Sequence, residues 1–137
     1  MSLYLLDTNI CIHFLKGQYD LHDKLLAVGI GSCYLSEITI AELLFGVENS
    51  ESTRRDKNEE KFLGFKKAFE GRILPISEVL YEYAKQKAIL KRAGRLVGEF
   101  DLLIGTTAIV HNLTLVTRNI RHFSELNGIK LENWIDV

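Results

Sequence analysis

The chain has 137 residues but only two cysteines, one proline and no long apolar run. Cys11 and Cys33 lack the spacing of a metal-binding motif and lie among apolar residues, which predicts buried, reduced thiols in a cytoplasmic protein, with a disulfide as the alternative. No apolar stretch reaches the roughly 18 residues that span a membrane, and the first residues lack the basic-then-apolar pattern of a signal peptide. The net charge of −1 excludes a strongly basic nucleic-acid coat and is compatible with a local basic patch.

Short apolar runs alternate regularly with amphipathic stretches along the chain. This alternation predicts one domain over residues 1–137, an α/β sandwich built on a central, mainly parallel sheet. The predicted strands are residues 3–6, 33–35, 73–76, 114–117 and 130–131. The predicted helices are residues 10–16, 19–28, 37–47, a helix through 62–69, then 77–93, 102–112 and 120–125.

One segment, residues 48–61, is strongly polar. Its charges are of both signs, which predicts a solvated turn followed by the exposed first turns of a helix, and not a binding tail. The preceding helix is predicted to face the core with Ile38, Ala41, Leu44 and Phe45.

Four oxygen-bearing side chains stand where an apolar run ends or where a helix is predicted to begin. They are Asp7, Glu42, Asp101 and Asn119. In an open parallel sheet the carboxyl ends of the central strands form one crevice, so these side chains are expected to meet there. Mg²⁺ and Mn²⁺ prefer oxygen ligands, and three carboxylates with an amide therefore predict a site for a hard divalent cation.

Each of these side chains has a simpler explanation when it is taken alone. Asp7 and Asp101 suit helix N-caps. Asn119 suits a turn, and Glu42 suits a solvated helix surface. Two carboxylates about 4 Å apart, however, repel each other by roughly 4 kcal/mol at an effective dielectric near 20. Three of them in one crevice require raised pKa values or a cation, and the cation is the simpler answer.

Other polar residues near these positions are candidates for supporting roles. Glu99 is interpreted either as an outer carboxylate of the site or as an exposed loop acid. The hydroxyls of Thr8 and Thr117 are predicted to orient the ligands or the attacking water, although Thr117 also suits a plain strand position.

The segments that carry these residues resemble those of a known family. They are LLDTNICI with Asp7, SEITIAELLFGVE with Glu42, GEFDLLIGTTA with Asp101 and LVTRNIRHF with Asn119, followed by LENW. In this order they look like the PIN-domain family and its VapC-type toxin ribonucleases, and the resemblance runs over residues 3–134. It implies a three-layer α/β/α fold and a Mg²⁺- or Mn²⁺-dependent endoribonuclease. It also implies a cognate antitoxin and toxin homodimers.

The resemblance suggests a role for each candidate. Asp7 and Asp101 are expected to bind the metal directly, Glu42 directly or through water, and Asn119 is expected to orient a water that the metal activates. This water would hydrolyse a phosphodiester of a structured RNA, for which tRNA is the prediction. Many relatives have aspartate where this chain has Asn119, which predicts weaker binding of a second ion. The residues expected to contact RNA phosphates are Lys91, Arg95, Arg118 and Arg121.

Two other classes of protein place acids at strand ends, and a third interpretation involves no chemistry. A phosphoacceptor receiver domain with a Mg²⁺-binding acidic pocket usually has paired acids after its first strand and Lys-Pro after its last, whereas Asp7 stands alone and the single proline is Pro75. A phosphatase of the haloacid dehalogenase type would have Asp-x-Asp, but residue 9 is Asn. A binding protein whose acids only cap helices would show no effect of divalent cations on its melting temperature.

Overall fold

The computed structural model describes residues 2–136. The strands are β1 (Tyr4–Leu6), β2 (Cys33–Ser36), β3 (Ile73–Leu74), β4 (Thr114–Val116) and β5 (Lys130–Glu132). The α-helices are α1 (Thr8–Leu15), α2 (Leu21–Val28), α3 (Glu37–Glu48), α4 (Arg55–Ala68), α5 (Leu80–Arg92), α6 (Glu99–Val110) and α7 (Ile120–Phe123). None of the helices within this range has the length and apolar character needed to span a membrane.

The five strands form one parallel sheet in the order β3-β2-β1-β4-β5. In the register of the central strand, Leu5 lies beside Tyr34 of β2 on one side and Leu115 of β4 on the other. The strand order therefore extends from β1 to one edge through β2 and β3, and to the other edge through β4 and β5. The carboxyl ends of β1 and β4 form the topological switch point, which is where α/β proteins bind ligands.

Helices cover both faces of the sheet, because successive residues of a parallel strand point to opposite sides. Leu6 packs in a core with α1, α2, α3 and α4, which includes the buried rings of Phe62, Phe65 and Phe69. Leu5 packs in a second core with α5 and α6. The predicted three-layer α/β/α fold is confirmed.

The cysteine side chains lie inside the first of these cores. Cys11 and Cys33 are fully buried and are both free thiols, as predicted. Burial raises the pKa of both thiols, so each behaves as a small apolar side chain.

The predicted inward face of α3 is wrong at three of its four positions. Ile38 is buried, but Ala41, Leu44 and Phe45 are exposed, and the buried face also contains Thr39, Leu43 and Val47. The apolar side chains of α3 are distributed around nearly the whole helix, so the sequence pattern does not identify the face that is buried. The sheet and α4 decide which side is buried, and they cover Leu43 and Val47.

Two predicted boundaries differ from those in the structure. The strand predicted to run through Pro75 ends at Leu74, since proline has no N–H for the sheet, and a 3₁₀ turn follows at Ile76–Glu78. Helix α6 begins at Glu99, three residues earlier than predicted, and Gly98 occupies the N-cap position. Asp101 therefore lies within the first turn of α6, and its interpretation as an N-cap is wrong.

Helix α6 lies unusually close to the segment that follows α7. A Cβ atom at Gly105 would lie 2.3 Å from Cδ1 of the buried Leu126. Gln86 of α5 fixes the same segment, because its amide nitrogen donates to Asn127 O (3.1 Å) and its amide oxygen accepts from Asn127 N (3.2 Å). These contacts set the position of the helix that carries Asp101.

Candidate active site

Asp7 lies at the switch point, where β1 ends and α1 begins. It is 5% exposed. Its Oδ1 accepts a hydrogen bond from the Thr8 N–H (2.8 Å), and its Oδ2 accepts one from the Thr117 hydroxyl (2.9 Å). Thr117 Oγ1 also accepts from the backbone N–H of Asn119 (3.0 Å). Asp7 is thus both the N-cap of α1 and the residue that joins the ends of β1 and β4.

Glu42 reaches the same region from the second turn of α3. Its Oε1 lies 2.7 Å from Thr8 Oγ1, which lies 2.9 Å from Thr39 Oγ1. An ionised carboxylate only accepts, so Thr8 donates its hydroxyl hydrogen to Glu42 and accepts one from Thr39. Sequence reasoning selects Thr8 but misses Thr39. The available signal is the spacing of three residues between Thr39 and Glu42, which places both on one side of a helix.

Asp101 extends from the first turn of α6 and contacts a histidine. His122 Nε2 lies 3.2 Å from Asp101 Oδ2, and both side chains are partly exposed. In the sequence, His122 shares no spacing with the other histidines, which favours a structural or surface group over a place at the site. Its position three residues after Asn119, in the short helix that leaves β4, is the signal that places it beside the site.

The three acids share one electrostatic environment. The pKa of Asp7 is raised from 3.8 to about 6, chiefly by burial and in part by the nearby carboxylates of Asp101 and Glu42, while the hydrogen bonds from Thr117 and Thr8 act in the opposite direction. Asp7 is therefore held at the centre of a cluster of negative charge, which a cation would stabilise.

The donor set fits a hard cation, since it consists of carboxylate oxygens, and the backbone of Asn119 is tied to the same site through Thr117. The present side-chain positions do not yet form a ligand shell: among residues 2–136, no three His, Cys, Asp or Glu side chains converge closely enough to hold an ion. Glu42 is turned toward Thr8, and Asp101 toward His122. At least one of these side chains must rotate toward Asp7 for an ion to be bound by all three.

The raised pKa of Asp7 predicts a pH-dependent stability when divalent cations are absent. Below about pH 4 the carboxyl is protonated in both the folded and the unfolded chain. Between about pH 4 and pH 6 it ionises only in the unfolded chain, so the free energy of unfolding decreases as pH rises and then levels off. In urea unfolding experiments with chelator, we expect the free energy of unfolding of the Asp7→Asn variant to rise by roughly 3 kcal/mol relative to that of the wild type between about pH 4 and pH 6. A difference in the free energy of unfolding that does not change with pH between the two proteins would contradict the prediction.

Glu99 is occupied away from the acid cluster. Its exposed carboxylate accepts hydrogen bonds from Lys87 and the Tyr83 hydroxyl, both on α5, and these bonds lower its pKa. These contacts fix the start of α6 to α5. The role of Glu99 as an outer carboxylate stays a prediction.

The four predicted RNA contacts do not lie together. Arg95 and Arg121 line a cavity of about 440 Å³ that reaches Asn119, with Arg95 paired to Glu125. Arg118 instead bonds to Asp136 and stacks on the ring of Tyr19. Lys91 is exposed near the end of α5, outside this cavity.

The fold and the site define a class of protein: a parallel α/β/α domain with an acidic pocket at the switch point of its sheet. A family model described as the PIN domain matches residues 4–129. The chain therefore belongs to the PIN-domain family, and its resemblance to the VapC-type toxin ribonucleases is confirmed. The receiver-domain alternative is rejected by the same match.

Individual relatives extend over nearly the whole chain. Ribonuclease VapC2 of Rickettsia felis is 35% identical over 136 residues, which cover 96% of this chain and 98% of that protein. The tRNA(fMet)-specific endonuclease VapC of Shigella flexneri is 31% identical over 140 residues, with 98% and 99% covered. The crystal structure of DNA-bound VapBC from Salmonella typhimurium is similar with a TM-score of 0.88 and 30% identity, over 98% of this chain and 99% of that one.

Proposed function

We propose that the protein is a metal-dependent endoribonuclease that acts as the toxin of a toxin–antitoxin pair and hydrolyses a phosphodiester bond of RNA. The observation that carries the proposal is the buried Asp7 carboxylate at the switch point, with its pKa raised in part by Asp101 and Glu42. A fold does not maintain three mutually repelling acids in one crevice for stability, so the cluster is there for its chemistry.

Within this site each residue has a distinct task. Asp7, Glu42 and Asp101 would hold the cation, which when bound would lower the pKa of water and offset charge on the phosphate. Thr117 and Thr8 fix the orientation of the Asp7 carboxylate through hydrogen bonds of 2.9 and 2.8 Å. Asn119, the neutral member, would orient the attacking water through its side-chain amide.

The substrate class and the partners follow from the relatives. The Shigella flexneri relative is named as a tRNA(fMet)-specific endonuclease, which supports tRNA as the substrate class. Similar solved structures are VapBC and FitAB complexes, which support a cognate antitoxin as the protein partner. A homodimer of the toxin is the assembly that we propose with it. Mg²⁺ or Mn²⁺ is the proposed ion.

Incubation of the purified protein with total tRNA tests the proposal. We expect cleavage in Mg²⁺ or Mn²⁺, no cleavage in chelator, and recovery when either ion is restored. Attack by water, and not by the ribose 2′-hydroxyl, leaves 5′-phosphate and 3′-hydroxyl ends, which ligation-based end mapping distinguishes. Cleavage that persists in chelator, or 2′,3′-cyclic phosphate ends, would refute metal-dependent hydrolysis.

A further inference from the structure

A second groove, separate from the Arg95–Arg121 cavity, leads to the acidic site. It measures about 450 Å³, lies between α1, α3 and α4, and has Glu42 in its wall. We call it the α4 groove. Its polar wall also includes Lys16 at the C-cap of α1, Arg54 at the N-cap of α4, and Asn58 and Lys61 of α4. Its apolar part includes Leu43, Val47 and Phe62.

The cations of the α4 groove are not neutralised by the protein. Within residues 2–136, Lys16, Arg54 and Lys61 form no salt bridge, whereas the adjacent Arg55 is paired with Glu48 and Glu59. The single acid in the wall of the groove is Glu42, itself a candidate catalytic residue. A chain with a net charge of −1 thus concentrates three unpaired cations beside its proposed active site.

We infer that the α4 groove binds the RNA strand on one side of the phosphate that is cleaved, an inference that rests on the proposed ribonuclease function. Lys16, Arg54 and Lys61 contact backbone phosphates, and the apolar wall accommodates a ribose or a base. The cavity with Arg95 and Arg121 meets the site at Asn119, and the α4 groove meets it at Glu42. A strand that crosses Asp7 therefore passes from one basic region to the other.

The charge of the groove favours RNA over a protein segment as its occupant. A helix or extended peptide would be held mainly by the apolar wall and would need one or two pairing acids. Three unpaired cations around an opening to the active site instead match a regularly spaced polyanion. Arg54 and Lys61, which are exposed residues of the 48–61 segment, thus acquire a specific task.

Charge-removing variants on one helix test this inference. Arg54→Gln and Lys61→Gln remove cations from the groove, and Lys66→Gln with Lys67→Gln is the matched control, because these lysines are exposed at the other end of α4. Steady-state cleavage is expected to show an increase in KM of about tenfold for the Arg54→Gln/Lys61→Gln double variant, chiefly without loss of kcat. The control is expected to keep the wild-type KM, and melting temperatures check that all variants fold.

Binding of labelled tRNA in chelator gives a second readout that does not require cleavage. The slope of log Kd against log salt is expected to fall by roughly 0.7 for each phosphate that the protein no longer neutralises, so by about 1.4 in the double variant. An unchanged slope and KM in the double variant would overturn the groove assignment, even if the wild type cleaves RNA. A reduced slope in protein that never cleaves RNA would support the groove and refute hydrolysis. Weaker binding of purified antitoxin with unchanged RNA binding would assign the groove to the protein partner and also overturn the inference.

Discussion

Replacement of Asp7 by asparagine is expected to reduce RNA cleavage by at least roughly 10³-fold, the effect of losing about 4 kcal/mol of transition-state stabilisation. The asparagine side chain has the same shape, and its oxygen can still accept the hydrogen bond from the Thr8 N–H. What is removed is the negative charge at the centre of the acid cluster, together with the hydrogen bond from the Thr117 hydroxyl to Oδ2, which an amide nitrogen cannot accept. The loss therefore reports on the charge of Asp7 and not on the geometry of α1.

The same variant separates a catalytic defect from a folding defect. Without divalent cations, Asp7→Asn is expected to melt at or above the wild-type temperature at neutral pH, because the repulsion by Asp101 and Glu42 is relieved. Asp23→Asn, an exposed aspartate of α2, is the control and should change neither activity nor stability. Cleavage by Asp7→Asn within tenfold of the wild type would remove Asp7 from the proposed mechanism.

Asp101→Asn and Glu99→Gln form a pair with opposite expected results. Both acids lie in the first turn of α6, two residues apart, and both neutralising changes remove one negative charge from the N-terminal end of that helix. Asp101 raises the pKa of Asp7, whereas Glu99 is bound to Lys87 and Tyr83 on the exposed surface. Asp101→Asn is expected to lose roughly 10³-fold in kcat/KM, and Glu99→Gln to stay within about twofold of the wild type.

Metal titration of the pair makes the comparison sharper. Asp101→Asn should need a higher Mn²⁺ concentration for half-maximal thermal stabilisation, since one of the proposed ligands is missing. Glu99→Gln should follow the wild-type curve. A clear loss of activity in Glu99→Gln, with a weakened response to Mn²⁺, would support the outer-carboxylate role and contradict the separation seen in the structure.

The fold class is predictable from the sequence because strand and helix patterns are local. Short apolar runs such as the one before Asp7 are visible without any knowledge of their neighbours, and parallel alternation then restricts the topology. The inward face of α3 is not predictable in the same way. Leu44 and Phe45 are as apolar as Leu43 and Val47, and only the position of α4 and the sheet determines which pair is covered.

The candidate site shows the same limit at the level of side chains. Strand ends indicate that Asp7 and Asn119 meet, and the hydrogen bonds of Thr117 link them. The partners of the other acids depend on contacts between distant elements: Thr8 of α1 donates to Glu42 of α3, and His122 of α7 lies beside Asp101 of α6. A basic residue likewise gives no sign in the sequence of whether it is paired, and Arg118, bound to Asp136, is the example.

The hydrogen bond between Thr117 and Asp7 joins residues that are 110 positions apart, and it has a consequence for synthesis. Asp7 is synthesised well before β4, which pairs with β1 and directly precedes Thr117. Until then the amino-terminal part has only an incomplete pocket, without Asn119 and without the neighbouring strand. The pocket that we propose as the nuclease site is therefore completed only after Thr117 has been synthesised and β4 has paired with β1.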